Sequence, residues 1–335
     1  MSDRAPMLGT TLYSFTNEWI TGRFDFVGLL EHVAENEIGP GVEIVGFQSL
    51  RGFPKLETGF VDTFRATVDR LGLVPTSLAA NIDIAIRPDR DLTTEERVEY
   101  TVPQIDAAGL LGFPVVRTQI GADPETLERL VPHAERAGVK LGMEIHAPEG
   151  PLTPAVTAVR EAYDRIGSDL LGFIPDFSST MHSITPGLAQ TFVDAGLPAD
   201  LVPDLQRIWA QDGGQGERLA EFLELAASKG VDANAANTVA AAFTMNGHEE
   251  PEGWVELMPR VFHVHAKFYE IDENGEEPSI DYSRNLGPLV AAGFRGSISS
   301  EWEAHSWVPN SELDTARLIR RQHDLMRRVI DEAMS

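Results

Sequence analysis

Four side chains able to bind a metal or move a proton, Glu144, Asp176, His265 and Glu301, each sit near the end of a short apolar run: LGMEIH, LLGFIPDFS, RVFHVHAKF and RGSISSEWE. Three carboxylates and one imidazole form a mostly hard, oxygen-rich donor set, which suits Mn²⁺ best and also admits Mg²⁺, Co²⁺ or Zn²⁺. Burying three neighbouring carboxylates without a cation forces proton uptake or a large desolvation cost, so the group as a whole points to a divalent metal. One Glu in one strand would be an ordinary solvated or ion-paired residue. The chain has no cysteine, which excludes thiolate ligands, cysteine nucleophiles and disulfides.

Residues two apart on a strand face the same way, which brings further groups to the same place. Glu144 shares a face with His146, His265 shares one with His263 and Lys267, and Glu301 shares one with Glu303. His146 is the candidate general acid/base, since it lies two residues from a ligand; the competing role is to hold a carboxylate in place. His263 lies deeper and reads as a supporting residue. Lys267 and Arg117 would either stabilise anionic oxygens of a substrate or offset buried carboxylates. His182 and His305 are candidate substrate contacts on loops, and Phe177, Phe268, Tyr269, Trp302 and Trp307 would either line an aromatic site or fill the core.

These residues need a scaffold that gathers strand ends, and the chain supplies one. Strand-like segments fall at 8–15, 41–47, 73–82, 113–120, 139–146, 170–178, 260–268 and 295–303, separated by stretches of helical spacing such as Phe26, Leu30, Val33, Ala34 and Phe60, Phe64, Val68, Leu71. Glycines after Ala137 and Ala292 read as helix stops. Eight alternating units predict a (β/α)8 TIM barrel, a single domain over 1–335 whose chemistry sits at the C-terminal ends of the strands. An open doubly wound sheet is the competing fold, but no GxGxxG or GxxxxGK[ST] turn occurs. The rhythm breaks once: about 183–258, including AQDGGQGER and VDANAANTVAAAF, predicts a long helical insertion after strand 6.

Composition limits the partners. Fifty-two acidic residues against 27 basic ones give a formal charge of −25, which disfavours nucleic acid and anionic membranes. The start, MSDRAPMLGTTLYSF, lacks the pattern of a signal peptide, and no apolar run approaches the length of a membrane span. A cytoplasmic location and a small-molecule substrate are the expectations.

Taken with the eight-unit rhythm, MEIH, IPDFS, HVHAK and SISSEWE resemble the sugar phosphate isomerase/epimerase superfamily, the xylose-isomerase-like barrels, over nearly the whole length. The resemblance implies Glu144, Asp176, His265 and Glu301 as metal ligands. Ketose 3-epimerases place a substrate-binding His three residues after the ligand Asp and an Arg six after the ligand His; here those places hold Ser179 and Ile271. Endonuclease IV, a His-rich DNA-binding relative, fits the acidic chain poorly. MEIHAP, the long stretch after strand 6 and SSEWEAH look more like the α subunit of bacterial C-glycoside deglycosidases, which pairs with a small β subunit in a hetero-oligomer. That likeness implies lyase-type cleavage of the carbon–carbon bond of a 3-oxo C-glycoside, with His146 as general acid/base, Glu144 and Glu301 also at the catalytic centre, and a Mn²⁺-stabilised enolate. A metal-dependent sugar isomerase/epimerase and a non-catalytic metal- or sugar-binding scaffold are the alternatives.

Overall fold

In a computed structural model of the chain, residues 5–57, 59–82, 86–119, 123–308 and 313–335 are described. Eight strands form one parallel sheet: β1 (Met7–Thr11), β2 (Gly41–Val45), β3 (Val74–Ala79), β4 (Val115–Thr118), β5 (Lys140–Ile145), β6 (Leu171–Pro175), β7 (His263–Phe268) and β8 (Ser297–Trp302). Their order, β6-β5-β4-β3-β2-β1-β8-β7, brings the last strand back to the first. The remaining seam, between β6 and β7, is joined by parallel bridges Phe173–Val261 and Asp176–His265 and by Phe173 N–H donating to the Arg260 carbonyl at 2.8 Å. The predicted TIM barrel is therefore present, with helices around the sheet.

All eight strands lie inside the predicted segments except that β1 starts one residue earlier, and each is shorter than expected. Leu12–Phe15, read from the sequence as the end of the first strand, is a 3-10 turn, begun by Thr11 accepting from Tyr13 N–H. Ile120, the predicted end of the fourth strand, lies outside the described residues. The apolar pattern explains the helices: Leu30 and Val33, with Leu29, are buried in the helix Phe26–Glu35, and Phe64 and Val68, with Thr67, in the helix Phe60–Leu71.

Helix ends are set by caps. In the helix Pro124–Ala137, Asp123 accepts from Thr126 N–H, and Gly138 takes a left-handed φ of 70°, which lets Val139 N–H reach back to the Ala134 carbonyl. Lys140 then starts β5. Gly293, with φ 98°, similarly ends the helix Tyr282–Ala291 ahead of β8.

Between β6 and β7 the chain forms the helices Pro186–Asp194, Val202–Trp209, Gln215–Ser228, Ala233–Asn237 and Ala240–Met245, then a 3-10 stretch Pro251–Leu257. Leu205, Trp209, Phe222 and Phe243 are buried there, and Trp209 Nε1 donates to the Ala242 carbonyl. This excursion returns against its own starting point: Gly247 N–H donates to the Ser178 carbonyl at 2.7 Å, and Met181 N–H donates to that of Gly247. Among the described residues, no helix is long and apolar enough to cross a membrane.

The β6–β7 seam depends on a missing side chain. A Cβ at Gly172 would lie 2.2 Å from the Arg260 carbonyl oxygen and 2.5 Å from the Phe262 ring, so Gly172→Ala forces the two segments apart. It should destabilise the chain by about 1–3 kcal/mol in a denaturant melt. Gly216→Ala, where a Cβ meets nothing within 4 Å, is the control, and equal stability of the two variants would refute the close-approach argument.

Candidate metal centre and active site

The barrel positions its acids by strand parity. Glu144 belongs to β5, while Asp176 is the first residue after β6, where its Oδ1 accepts from Ser178 N–H at 2.7 Å. His265 lies within β7 and Glu301 within β8. Donor atoms of these four residues all fall within 4.8 Å of one another, and all four side chains are buried. On this face of β7 the residue nearest the strand's C-terminal end is Lys267, not His265. Strand stagger explains the difference: His265 is bridged to Asp176, whereas Lys267 is in register with Glu301 one layer higher.

His265 shows how the centre is oriented. Its Nε2 lies 3.0 Å from Glu43 Oε1, and its Nδ1 lies 2.5 Å from Glu144 Oε1 and 3.2 Å from Glu301 Oε2. Burial, the largest influence, opposes a charged ring, yet Glu43, Glu301 and Glu144 together hold its pKa well above the usual imidazole value. With both nitrogens facing carboxylates the ring carries two protons; a cation among the acids would take the place of the one on Nδ1. Glu43 then accepts from Nε2, the carboxylate–histidine pairing that fixes a metal-binding ring.

Glu43 was not singled out by the sequence reading. It also receives His263 Nε2 at 2.8 Å, and His263 Nδ1 lies 2.7 Å from Ser297 Oγ. His263 is thus a fully buried supporting residue, as its depth suggested. The local signal for Glu43 was a lone acid inside the apolar strand GVEIV.

Two cations offset the acids. Arg117 Nε lies 3.2 Å from Glu144 Oε2. Lys267 Nζ lies 3.3 Å from Asp176 Oδ2 and 3.1 Å from Glu301 Oε1, and it also donates to Glu303. Even so, burial first, then crowding by Asp176 and Glu144, pushes the Glu301 carboxyl up to about 7 against the pull of Lys267 and His265. Asp176 Oδ2 and Glu301 Oε2 are buried without a hydrogen-bond partner. Buried carboxylate oxygens that make no hydrogen bond, beside an imidazole nitrogen, fit a divalent cation with oxygen and nitrogen donors.

The centre opens into a cavity of about 370 Å³, walled by Glu43, Arg117, Glu144, His146, Lys267, Glu301 and other residues of the barrel mouth. His146 follows β5 directly, and its Nδ1 lies 2.8 Å from the Ala147 carbonyl, which can only accept. Nδ1 therefore carries the proton, and Nε2 offers its lone pair 4.0 Å from Asp176 Oδ2. Burial most strongly opposes protonation of His146, but Asp176, with Glu144 and Glu303, outweighs burial and Lys267, so the ring protonates more readily than a free imidazole.

The outer candidates separate. His305 is buried edge-on to Tyr13, with ring centroids 4.8 Å apart, and its Nε2 has no partner. Tyr13 in turn donates to Glu303 at 3.2 Å. His182 is exposed, gives its backbone N–H to the Ser279 carbonyl, and lines neither this cavity nor the one beside it. Phe177, Phe268 and Trp302 are buried in the core, leaving Tyr269 and Trp307 on the wall of that second cavity. Ser179 and Ile271, the two departures from the epimerase pattern, are also buried; Ser179 Oγ donates to the Ile145 carbonyl.

Residues 36–329 match the family of the xylose isomerase-like TIM barrel. A C-glycoside deglycosidase alpha subunit of Arthrobacter globiformis is 43% identical over 330 residues, covering 98% of this chain and 93% of that protein. A 3'-dehydrocarminate deglycosidase alpha subunit of a Microbacterium species is 41% identical over 339 residues, covering 98% and 96%. The solved structure of a D-tagatose 3-epimerase-like protein covers 98% of this chain and 100% of its own with a TM-score of 0.56, but at 16% identity that likeness speaks for the fold alone. Matched over most of its length by the family and by these two relatives, the chain belongs to the xylose isomerase-like TIM barrels and, within them, is most like the alpha subunits of C-glycoside deglycosidases.

Proposed function

We propose that this chain is the α subunit of an enzyme that cleaves the carbon–carbon bond between a 3-oxo sugar and an aromatic aglycone. The observation that carries the reading is His146 Nε2, which faces a cluster of buried acids at the wall of a cavity of about 370 Å³. Two relatives above 40% identity, each named a deglycosidase alpha subunit, support the substrate class and the existence of a partner, for which we propose a small β subunit.

Glu144, Asp176, His265 and Glu301 would hold the divalent cation, with Mn²⁺ the ion best matched to their donors. When bound, it supplies positive charge to the oxygens of the oxidised sugar. His146 Nε2 then takes the C2 proton, which the neighbouring 3-oxo group acidifies. The electron pair left at C2 forms a C1–C2 double bond as the C1–aryl bond breaks, and the aryl carbon receives a proton in place of the sugar. Lys267 and Arg117 offset part of the charge of the surrounding acids, and Glu43 holds His265 in the tautomer that leaves Nδ1 free. A free-sugar epimerase fits less well, because the positions that would carry its substrate-binding His and Arg hold the buried Ser179 and Ile271.

Removing the metal tests the centre. Returning Mn²⁺ to the chelator-treated chain at about a hundredfold excess over Kd should stabilise it by about 2.7 kcal/mol, seen as a higher melting temperature. His265→Ala should abolish that rise, and Glu43→Gln should weaken affinity by about 10–100-fold in a calorimetric titration. No rise with any divalent ion would remove the metal from the proposal.

His146→Gln should slow aglycone release from a 3-oxo C-glycoside by about 10²–10⁴-fold while metal content stays at the parent level. The same variant should lose exchange of the C2 hydrogen with solvent deuterium, followed by NMR. Undiminished exchange would assign the base to another residue.

A further inference from the structure

We infer that the hold on the metal is set partly from the far end of the barrel, through a line of hydrogen bonds in which Ser297 fixes His263, His263 fixes Glu43, and Glu43 fixes His265. Ser297 and His263 are positioning residues in this account, and neither belongs to the proposed donor set. The inference rests on the metal centre proposed above and extends it to residues that supply no ligand atom.

The bonds follow one another without a gap. Ser297 Oγ lies 2.7 Å from His263 Nδ1, His263 Nε2 lies 2.8 Å from Glu43 Oε2, and Glu43 Oε1 lies 3.0 Å from His265 Nε2. Glu43 thus gives one oxygen to each ring. The two rings stand at 86° with centroids 5.5 Å apart, so each presents its Nε2 edge to a different oxygen. His263, Glu43 and His265 are buried, and water does not compete for these bonds. His263 and Ser297 are the first residues of β7 and β8, at the end of the barrel opposite the catalytic mouth, and Ser297 borders a hollow of about 600 Å³ there.

Elementary hydrogen-bond chemistry fixes where each proton sits. A carboxylate only accepts, so His263 Nε2 carries a proton toward Glu43. Burial, the largest influence, holds this ring below the usual imidazole value, which leaves a lone pair on Nδ1 for the Ser297 hydroxyl to donate to. With Oε2 committed to His263, the Glu43 carboxylate cannot turn, and Oε1 stays aimed at His265 Nε2. That bond directs His265 Nδ1 toward Glu144 and Glu301, where the cation is proposed.

Strand β8 supplies its own control. Ser297 is in register with His263, and Ser299, nearer the catalytic mouth, is in register with His265. Ser299 is buried, yet its hydroxyl makes no hydrogen bond among the described residues. Were nearness to the metal the deciding factor, Ser299 would matter more; if the line of bonds decides, Ser297 does.

The test is a calorimetric titration of the full-length, metal-free chain with Zn²⁺, a diamagnetic probe that also permits NMR. Ser297→Val removes the hydroxyl and fills its place against water, whereas Ser297→Thr has the same shape and keeps the hydroxyl. The Val variant should weaken Zn²⁺ binding by about threefold or more, while Ser297→Thr and Ser299→Ala should bind as the parent does. His263→Leu, which takes the donor from Glu43 directly, should weaken binding by about tenfold or more. In a Glu43→Gln background Ser297→Val should have no further effect, because the line is already cut. Nitrogen-15 NMR of the histidine-labelled, Zn²⁺-loaded chain should show His263 and His265 each with a proton on Nε2 and none on Nδ1. The melting temperature of each metal-free variant shows that it is folded, and the Val and Thr pair decides the matter if His263→Leu does not fold. Equal affinity of Ser297→Val and Ser297→Thr, a loss in Ser299→Ala as large as in Ser297→Val, or a proton on His263 Nδ1 overturns the inference and spares the metal centre. A parent chain that binds no divalent ion overturns the metal centre and the inference with it.

Discussion

The constraint that organises this molecule is the burial of like charge. Glu43, Glu144, Asp176, Glu301 and Glu303 lie together inside the barrel mouth, against the permanent cations Arg117 and Lys267 and the imidazole of His265. Even with His265 protonated, negative charge is in excess, and the high pKa of Glu301 expresses that excess, as do the oxygens of Asp176 and Glu301 that face a cation without a hydrogen bond. A chain tolerates such a cluster only if protons or a cation complete it, because each desolvated carboxylate lacking a counter-charge costs several kcal/mol. The proposed metal is the completion that leaves His146 free to act as a base.

The way the acids are shared out matters as much as their number. Glu144 leans on Arg117, Glu301 on Lys267, and Glu43 is satisfied by two histidines, so no single cation serves the whole group. Lys267 occupies a layer above His265, bonded to acids on both sides, and separates the deep donors from Glu303 at the opening. Loss of Glu144 would therefore remove the ion pair of Arg117 as well as a proposed metal donor, while Lys267 would keep its own acids, and the effects of neighbouring substitutions here should not add.

The main lines of this arrangement were legible in the chain because barrel strands read in simple parity. Glu144, Asp176, His265 and Glu301 could be found as polar residues at the ends of apolar runs, and the eight runs announced the fold. The same parity places Phe268 and Trp302 on the face opposite His265 and Glu301, which is why they pack in the core and line no substrate cavity. Glu43 escaped notice because a single acid in a strand has many ordinary explanations, and its meaning depends on His263 and His265 more than 200 residues away. The position of His182 could not be read either, since the loop beyond Ser179 turns outward to bond Ser279, a contact set by tertiary structure.

The long excursion after β6 is tied into the end of the strand it leaves. It leaves the barrel just after Asp176 and returns through Gly247, whose backbone bonds tie the segment to Ser178. Ser179, in the same turn, bonds the carbonyl of Ile145 beside His146. Three consequences of one small loop are thus linked: the direction of the Asp176 carboxylate, the support of the strand end that carries His146, and the placement of Asn246 one residue before the clamp. A substrate-binding His at position 179 could not be accommodated without breaking the bond to Ile145. The residue that departs from the epimerase pattern therefore belongs to the turn that ties the excursion to the ends of β5 and β6.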